Sequence, residues 1–469
     1  MIIHVVSSGE TLWQIANRYQ VNVKSIVDVN ELTNPDQLII GQSIVIPLRG
    51  TTHTIQSGET LWSLAQRYGV SVQAIIQTNQ FSNPNLLYPG MPIIIPPITH
   101  TIQPGEALWQ IAQRYGTTVQ QIAAENQIQN PSLIYPGIQL SIPRNKPVIE
   151  VNAYTYQTPS NASQTIEELH PLLTYISPFA YMITQNGKLS PIKDEQTVNT
   201  AMNNNVTPMM SITNFTTTEA GSNLAHTVLA EAEYRNNLLN DALRIMEAKG
   251  YKGINIDFEN VLPDDRELYN QFMQQAVDFF HPKGYFVSSA LAPKTSAAQA
   301  GLLYTAHDYE AHGRIADFVV LMTYEWGYRM GPPQAISPIN QMRRVIEYAV
   351  SVMPSKKIFL GFQIYARDWK IPHVQGQEAE TFSPQEAIQR AAKYGAAIQY
   401  DTAAQSPYYR YTDEQGQQHE VWFEDARSAQ AKFDLAKQYN LRGVSYWALG
   451  YPYPQNWALL NDNFTIRKR

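Results

Sequence analysis

The sequence predicts a multidomain protein in which three small α+β modules precede one large α/β barrel that carries an inserted α+β subdomain. Two observations predict this division. One pattern occurs three times in the first third of the chain, and an alternation of apolar runs with helical patterns fills the rest of the 469 residues. At roughly 150 residues per domain, a chain of this length has room for several small units and one large unit.

The repeated pattern reads IHVVSSGETLWQIANRY, THTIQSGETLWSLAQRY and THTIQPGEALWQIAQRY. Alternating residues such as HTIQ predict a strand, the following turn caps an amphipathic helix, and a second helix and a strand complete each copy. Such repeats can stack as a solenoid, but the linker-like segments 50–52 and 96–99 favour independent modules. We place the modules at residues 2–48, 51–97 and 98–144.

The pattern resembles the LysM family, whose members bind glycans that contain N-acetylglucosamine. The resemblance implies a sugar groove between the first turn and the loop before the second strand. Ala107 replaces the usual threonine of the turn in the third copy, so we expect weaker binding there. The groove residues implied by the resemblance are Gly9, Thr11, Leu12, Asn34, Ile39, Gly58, Thr60, Leu61, Asn83, Tyr88, Gly105, Leu108, Asn130 and Tyr135.

One tryptophan follows the turn in each copy, at Trp13, Trp62 and Trp109. A tryptophan can stack on a sugar ring, but the apolar helical spacing around these residues favours packing. We therefore predict that all three lie in the module cores.

From about Val148 to the end, eight apolar runs alternate with helical patterns, which favours a parallel sheet or barrel. The candidate strands are VIEVNAYTY, LTYISPFAY, TPMMSIT, KGINIDFE, YFVSSALA, ADFVVLMTY, KIFLGFQIY and RGVSYWALG. Eight strands over residues 148–469 fit a TIM barrel, with an open doubly wound sheet as the alternative. The long gap before the last strand predicts an inserted subdomain at about 366–425, whose strands include HEVWF.

The fourth strand carries Asn255, Asp257 and Glu259 at alternate positions. Their side chains should point into the barrel lumen, and those of Ile254 and Ile256 should point outward. Two carboxyls one strand repeat apart in a confined site cannot both ionise freely, so one keeps a proton to higher pH. A shared proton suits a general acid, although a solvated strand end would carry the same residues.

This segment also resembles the DxxDxDxE motif of glycoside hydrolase family 18, with Lys252 and Asn255 at its first two acidic positions. The resemblance implies that Glu259 protonates the glycosidic oxygen. It further implies that Asp257 orients the substrate N-acetyl group, which attacks the anomeric carbon, and that Tyr324 hydrogen-bonds the same group. The implied substrate-binding residues are Trp447, Asn255, Met322, Glu325 and Trp326.

Together with three LysM copies, the segments GINIDFEN and MTYEWG look closest to spore-cortex-lytic N-acetylglucosaminidases. We therefore expect cleavage of cortex peptidoglycan by a protein at the spore periphery or cell wall. A chitinase would share these residues. A non-catalytic lectin is a second alternative and a structural coat protein a third.

The composition of the chain argues against several classes of binding partner. A net charge of −6 argues against nucleic acid or anionic lipid as partners, and no apolar stretch is long enough to span a membrane. There is no cysteine, which excludes disulfides and thiolate metal sites. The N-terminus has no standard signal pattern. We expect a monomer that binds peptidoglycan or a related glycan and needs no metal or cofactor.

Overall fold

The computed structural model of the chain describes residues 1–48, 50–79, 81, 83–84, 86–143, 146–215 and 222–469. These residues form two compact units, one of 1–36 with 43–147 and one of 37–42 with 148–469. Within the described ranges, no helix is both long and apolar enough to cross a membrane.

Each of the three modules runs strand, helix, helix, strand, as the repeat predicts, and its two strands pair antiparallel. The elements are β1 (Ile2–Val5), α1 (Leu12–Tyr19), α2 (Val23–Asn30), β2 (Ser43–Ile46), β3 (Thr51–Thr54), α3 (Leu61–Tyr68), α4 (Val72–Asn79), β4 (Pro92–Ile95), β5 (Ile98–Thr101), α5 (Leu108–Arg114), α6 (Val119–Glu125) and β6 (Gln139–Ile142).

An asparagine side chain joins the second helix to the last strand in each module. In the first module, Asn30 Nδ2 donates to the carbonyl oxygens of Ile26 (2.8 Å) and Val45 (2.7 Å), and Asn30 Oδ1 accepts from the N–H of Val45 (2.8 Å). Asn79 and Asn126 make the same three bonds. Because an unpaired buried amide costs about 1–3 kcal/mol, these bonds favour a single pairing of helix and strand.

The prediction that the three tryptophans lie in the cores is wrong. Trp13 and Trp62 are each 67% exposed and Trp109 is 59% exposed. The reason is the direction in which each side chain leaves the helix. In α3 the buried side chains are those of Leu61, Leu64 and Ala65. Trp62 lies about 100° around the helix axis from Leu61 and so points to solvent. An exposed tryptophan recurs at one position in all three modules.

This exposure predicts that Trp62→Ala changes the free energy of unfolding by no more than about 0.5 kcal/mol, as for ordinary surface substitutions. Leu64, which is buried in the same helix, is the matched control, and Leu64→Ala should cost about 2–5 kcal/mol. Urea unfolding of the full chain followed by far-ultraviolet circular dichroism measures both. Equal losses for the two variants would contradict the assignment of Trp62 to the surface.

The second unit contains the barrel and its insertion. Its elements are β7 (Val148–Thr155), α7 (Pro159–Leu169), β8 (Tyr175–Pro178), β9 (Tyr181–Met182), α8 (Glu195–Asn203), β10 (Thr207–Thr213), α9 (Ser222–Ala230), α10 (Ala232–Lys249), β11 (Gly253–Asp257), α11 (Arg266–Phe280), β12 (Phe286–Leu291), α12 (Tyr309–Ile315), β13 (Phe318–Leu321), α13 (Ile339–Val352), β14 (Ile358–Gln363), β15 (Ala366–Ile371), β16 (Glu380–Phe382), α14 (Pro384–Lys393), β17 (Gln399–Asp401), β18 (Ser406–Thr412), β19 (Gln418–Trp422), α15 (Ala426–Gln438), β20 (Gly443–Leu449), α16 (Pro454–Asn463) and β21 (Thr465–Ile466).

Eight parallel strands close into a barrel in the order β7, β8, β10, β11, β12, β13, β14 and β20, and β20 pairs back to β7. All eight predicted strands take part, so the TIM barrel is confirmed and the open sheet is excluded. Ile254 and Ile256 of β11 pack outward in one cluster with Phe272 of α11. Tyr175 and Phe318, from facing strands, belong to a separate apolar cluster in the lumen.

The insertion follows β14 directly. It is an antiparallel sheet in the order β16, β15, β19, β18, β17, with α14 in the same segment. Its first strand, β15, begins three residues after the end of a barrel strand, which brings the start of the insertion close to the carboxyl-end rim of the barrel.

Candidate active site

A cavity of about 180 Å³ lies at the carboxyl ends of the barrel strands, where TIM barrels place their reactive groups. It is lined by Asp257, Glu259, Ala292, Pro293, Leu303, Met322, Tyr324, Glu325 and Trp447. Six of the eight barrel residues predicted from sequence therefore meet in one place, although they come from three different strand ends.

The other two predicted residues do not line this cavity. Asn255 is fully buried below it: its Oδ1 accepts from the Tyr154 hydroxyl (2.9 Å) and its Nδ2 donates to Ser288 Oγ (2.9 Å). Both amide atoms of Asn255 are thus hydrogen-bonded within the protein, and the substrate contact expected of this residue stays a prediction. Trp326 is half-buried, and its backbone N–H donates to the carbonyl of Ile336 (3.1 Å).

The pKa values of the two carboxyls at the end of β11, Asp257 and Glu259, are both raised, as the sequence predicts for two acids close together on one strand. Burial, and then the charge of Glu259, raises the pKa of Asp257 well above its ordinary value. Burial, and then the charge of Glu325, raises the pKa of Glu259. The pair therefore keeps a proton to higher pH than an isolated carboxyl would. Asp257 Oδ1 is also buried without a hydrogen-bond partner among the described residues.

Two aromatic rings face each other across this region. The rings of Tyr324 and Trp447 are parallel to within 6°, with centroids 6.4 Å apart. Edge contacts with Phe179 (4.7 Å) and Tyr154 (5.5 Å) hold Trp447 in place. Burial, and then the neighbouring Tyr154, raises the pKa of Tyr324 well above its ordinary value, so its hydroxyl stays protonated and can donate a hydrogen bond.

Glu325 is tied to the insertion. Arg367 of β15 reaches both of its carboxylate oxygens, at 2.7 Å each, and the Tyr365 hydroxyl donates to the same carboxylate. The backbone of Glu325 has φ of +68°, a left-handed conformation that costs a non-glycine residue roughly 1–2 kcal/mol. The bidentate ion pair offsets that cost and fixes the carboxylate at the cavity wall.

Sequence reasoning missed two groups of residues at this site. Ala292, Pro293 and Leu303 form part of the wall, and the rule that loops after barrel strands build the site would have indicated the first two, which follow β12. Arg367 lies in the insertion, and no sequence pattern linked it to Glu325. Across the described ranges, no cluster of three or more His, Cys, Asp or Glu side chains is placed to hold a metal ion.

The turn before the first helix is built alike in all three modules. In the second module, Glu59 Oε2 accepts from the N–H of Gln56 (2.8 Å) and bonds to His53 Nε2 (2.5 Å), while Arg67 donates to Glu59 Oε1. The bonds from Gln56 and His53 lower the pKa of Glu59 to about 2. The N–H of Gly90 donates to the carbonyl of Ile55 (2.8 Å), which places the next loop beside this turn.

The predicted groove residues differ in their exposure. Tyr88 and Tyr135 are 63% and 62% exposed, whereas Ile39, at the matching position of the first module, is buried. Thr11 and Thr60 cap their helices by accepting from the N–H groups of Gln14 (3.3 Å) and Ser63 (3.1 Å). The leucines that follow the turns are buried: Leu12, Leu61 and Leu108. The asparagines that precede the prolines are exposed: Asn34, Asn83 and Asn130. Gly9, Gly58 and Gly105 all have positive φ in the turn.

Comparison with known families agrees with this architecture. The family described as "Glycosyl hydrolases family 18" matches residues 150–451. The LysM domain matches three times, at residues 4–47, 53–96 and 100–143.

Individual relatives match along 90–100% of the chain. The cortical fragment-lytic enzyme of Bacillus subtilis (strain 168) is 48% identical over 476 aligned residues, covering 100% of this chain and 99% of that protein. The crystal structure of the Bacillus megaterium QM B1551 spore cortex-lytic enzyme SleL superposes with a TM-score of 0.81 at 38% identity and covers 100% of this chain and 99% of that one. The Bacillus cereus SleL structure has a TM-score of 0.68 at 39% identity, covering 90% of this chain and 99% of that one.

Proposed function

Since the chain belongs to glycosyl hydrolase family 18 and carries three LysM domains, we propose that it hydrolyses N-acetylglucosaminyl bonds in spore cortex peptidoglycan by substrate-assisted retaining catalysis. Its relatives of similar length are a cortical fragment-lytic enzyme and spore cortex-lytic enzymes. The observation that carries the chemistry is the pair of carboxyls at the carboxyl end of β11, the buried Asp257 and the half-buried Glu259, both with raised pKa.

Glu259 is the proton donor in this proposal. Burial and the charge of Glu325 raise the pKa of Glu259, so the carboxyl keeps its proton to higher pH than an ordinary glutamate does, which favours a general acid. Protonation of the glycosidic oxygen then lets the leaving sugar depart.

The nucleophile is the carbonyl oxygen of the substrate's own N-acetyl group. An ordinary retaining enzyme needs a second free carboxylate about 5–5.5 Å across the sugar ring. Of the other two acids that line the cavity, Glu325 is engaged by Arg367 and Tyr365, and Asp257 lies on the same strand as the acid. The unpartnered Asp257 Oδ1 is available to accept the amide N–H, and the Tyr324 hydroxyl is available to donate to the amide oxygen.

The LysM modules anchor the enzyme to its polymer in this proposal. Tandem weak sites increase overall affinity because each further contact is effectively intramolecular. The exposed Tyr88 and the turn threonine Thr60 favour the second module as the strongest contact, since the third module has an exposed Tyr135 but Ala107 in place of the threonine. We further propose that the enzyme acts as a monomer at the spore periphery.

Mass spectrometry of released fragments tests the function. Cortex peptidoglycan is digested with the wild-type enzyme, and new reducing ends are labelled by borohydride reduction. Reduced N-acetylglucosamine at those ends supports the proposal. Reduced muramic acid, or turnover confined to chitin oligomers in a parallel digest, contradicts it.

Glu325 provides a test by pH. Its negative charge helps to raise the pKa of Glu259, and a general acid loses activity as pH rises through its pKa. Glu325→Gln removes the charge, so the alkaline limb of the kcat profile should move to lower pH. Glu310, an exposed residue on α12, provides the control Glu310→Gln, which should leave the limb in place. An unchanged or upward-shifted limb in Glu325→Gln would refute this electrostatic role.

A further inference from the structure

Glu259 lies beyond the regular end of its strand. β11 ends at Asp257, which is paired with Thr213, the last residue of β10. The sheet ladder therefore stops two residues short of Glu259, and the next residue, Asn260, has a left-handed φ of +51°. Other contacts must fix the backbone of Glu259.

The side chain of Asn214 supplies those contacts. Its Oδ1 accepts from the N–H of Glu259 (2.8 Å), and its Nδ2 donates to the carbonyl of Glu259 (2.7 Å). Asn214 is fully buried and directly follows β10. One side-chain amide thus satisfies both backbone groups of Glu259 and extends the ladder by one rung.

A second hydrogen bond holds the backbone of Phe258, the residue before Glu259. The N–H of Ala292 donates to His307 Nδ1 (2.7 Å), so the proton of the neutral ring is on Nε2, which donates to the carbonyl of Phe258 (2.9 Å). Burial lowers the pKa of His307 to about 4, which keeps this neutral form at neutral pH. The Phe258 ring stacks on Phe272, with centroids 5.8 Å apart.

We propose that Asn214 is a positioning residue that sets the reach of the Glu259 carboxyl, an inference that rests on the proposed function. With both backbone groups of Glu259 held, only its side-chain torsions remain to place the acid. A displacement of about 1 Å at a reacting group can cost about 10²-fold in rate. Loss of the amide should therefore impair proton donation more than substrate binding.

Two substrates separate proton donation from other defects. A cortex glycan fragment has a poor leaving group that needs protonation, whereas the 4-nitrophenyl glycoside of an N-acetylglucosamine dimer has a leaving group that departs with little help. For Asn214→Ala we expect kcat on the glycan to fall about 10–100-fold with KM changed less than about two-fold, and kcat on the nitrophenyl glycoside to fall less than about five-fold. The alkaline limb should also move to lower pH, because a looser Glu259 is better hydrated.

Asn214→Asp is the second variant. It keeps the acceptor for the N–H of Glu259 and loses the donor, so we expect a smaller loss on the glycan. Asn456, a fully buried asparagine on α16, provides the matched control Asn456→Ala, which reports the general effect of removing a buried amide.

The inference would be overturned by equal reductions of kcat on both substrates or by a rise in KM with unchanged kcat. It would also be overturned if Asn456→Ala changed kcat, KM and the pH profile in the same way. If Asn214→Ala fails to fold, Asn214→Asp decides by the same criteria. The proposed function is tested separately: full glycan activity in Glu259→Gln refutes it, whereas an inactive Glu259→Gln beside a fully active Asn214→Ala refutes only the role of Asn214.

Discussion

Glu259→Gln should lower kcat on cortex glycan by about 10²–10⁴-fold, the range that general acid catalysis contributes. Glutamine fills the same space but carries no acidic proton, so the leaving oxygen would depart unprotonated. Timed assays of new reducing ends measure the loss. On the 4-nitrophenyl glycoside the loss should be much smaller, because that leaving group needs little protonation.

Glu247→Gln is the matched control for this substitution. Glu247 is an exposed residue of α10, so its replacement should leave both rates unchanged. A Glu259→Gln enzyme that digests glycan at the wild-type rate, or that loses both substrates equally, would contradict a proton-donor role.

Asp257→Asn should lower kcat by about 10²-fold or more on both substrates, because the N-acetyl oxygen has to displace either leaving group: its bond to the anomeric carbon forms as the bond to the leaving group breaks. The buried, unpartnered Asp257 Oδ1 is the acceptor proposed for the amide N–H. An asparagine can turn its NH2 toward the substrate and lose that acceptor. Parallel assays on the glycan fragment and the nitrophenyl glycoside provide the measurement.

The two substitutions are distinguished by the leaving group. If Asp257→Asn lowered kcat on the glycan but not on the nitrophenyl glycoside, Asp257 would assist proton donation as Glu259 does. That result would contradict a role in orienting the amide. Substrates from which the acetyl group has been removed provide an independent check. The wild-type enzyme should fail to cleave them, and efficient cleavage would rule out neighbouring-group attack.

The sequence predicted the fold and the centre of the site because both depend on local periodicity. Alternation predicted, without knowledge of any other strand, that Asn255 and Asp257 of β11 and Glu259 just beyond its end point to one side. The repeated pattern predicted the order strand, helix, helix, strand of each LysM module, although not the exposure of its tryptophan. The eight apolar runs alternating with helical patterns predicted a TIM barrel but left an open sheet as the alternative, which the pairing of β20 with β7 excludes.

The features that the sequence did not predict depend on the direction of single side chains around a helix and on contacts between residues that are far apart in sequence. The exposure of Trp62 follows from an angle of about 100° from Leu61 on one helix, which a count of apolar positions does not resolve. Asn214 and Glu259 are 45 positions apart in sequence, and no pattern in either segment indicates that they pair. The ion pair of Glu325 with Arg367 likewise depends on how the insertion meets the barrel.

That ion pair makes the acidity of the proton donor depend on a segment outside the eight strands. Arg367 fixes the carboxylate whose charge raises the pKa of Glu259, and Arg367 belongs to the first strand of the insertion. A relative that exchanged this appendage for another would work at a different pH even if it kept every side chain of the lumen. Substitutions in the insertion are thus a route by which such enzymes can adapt to a different pH.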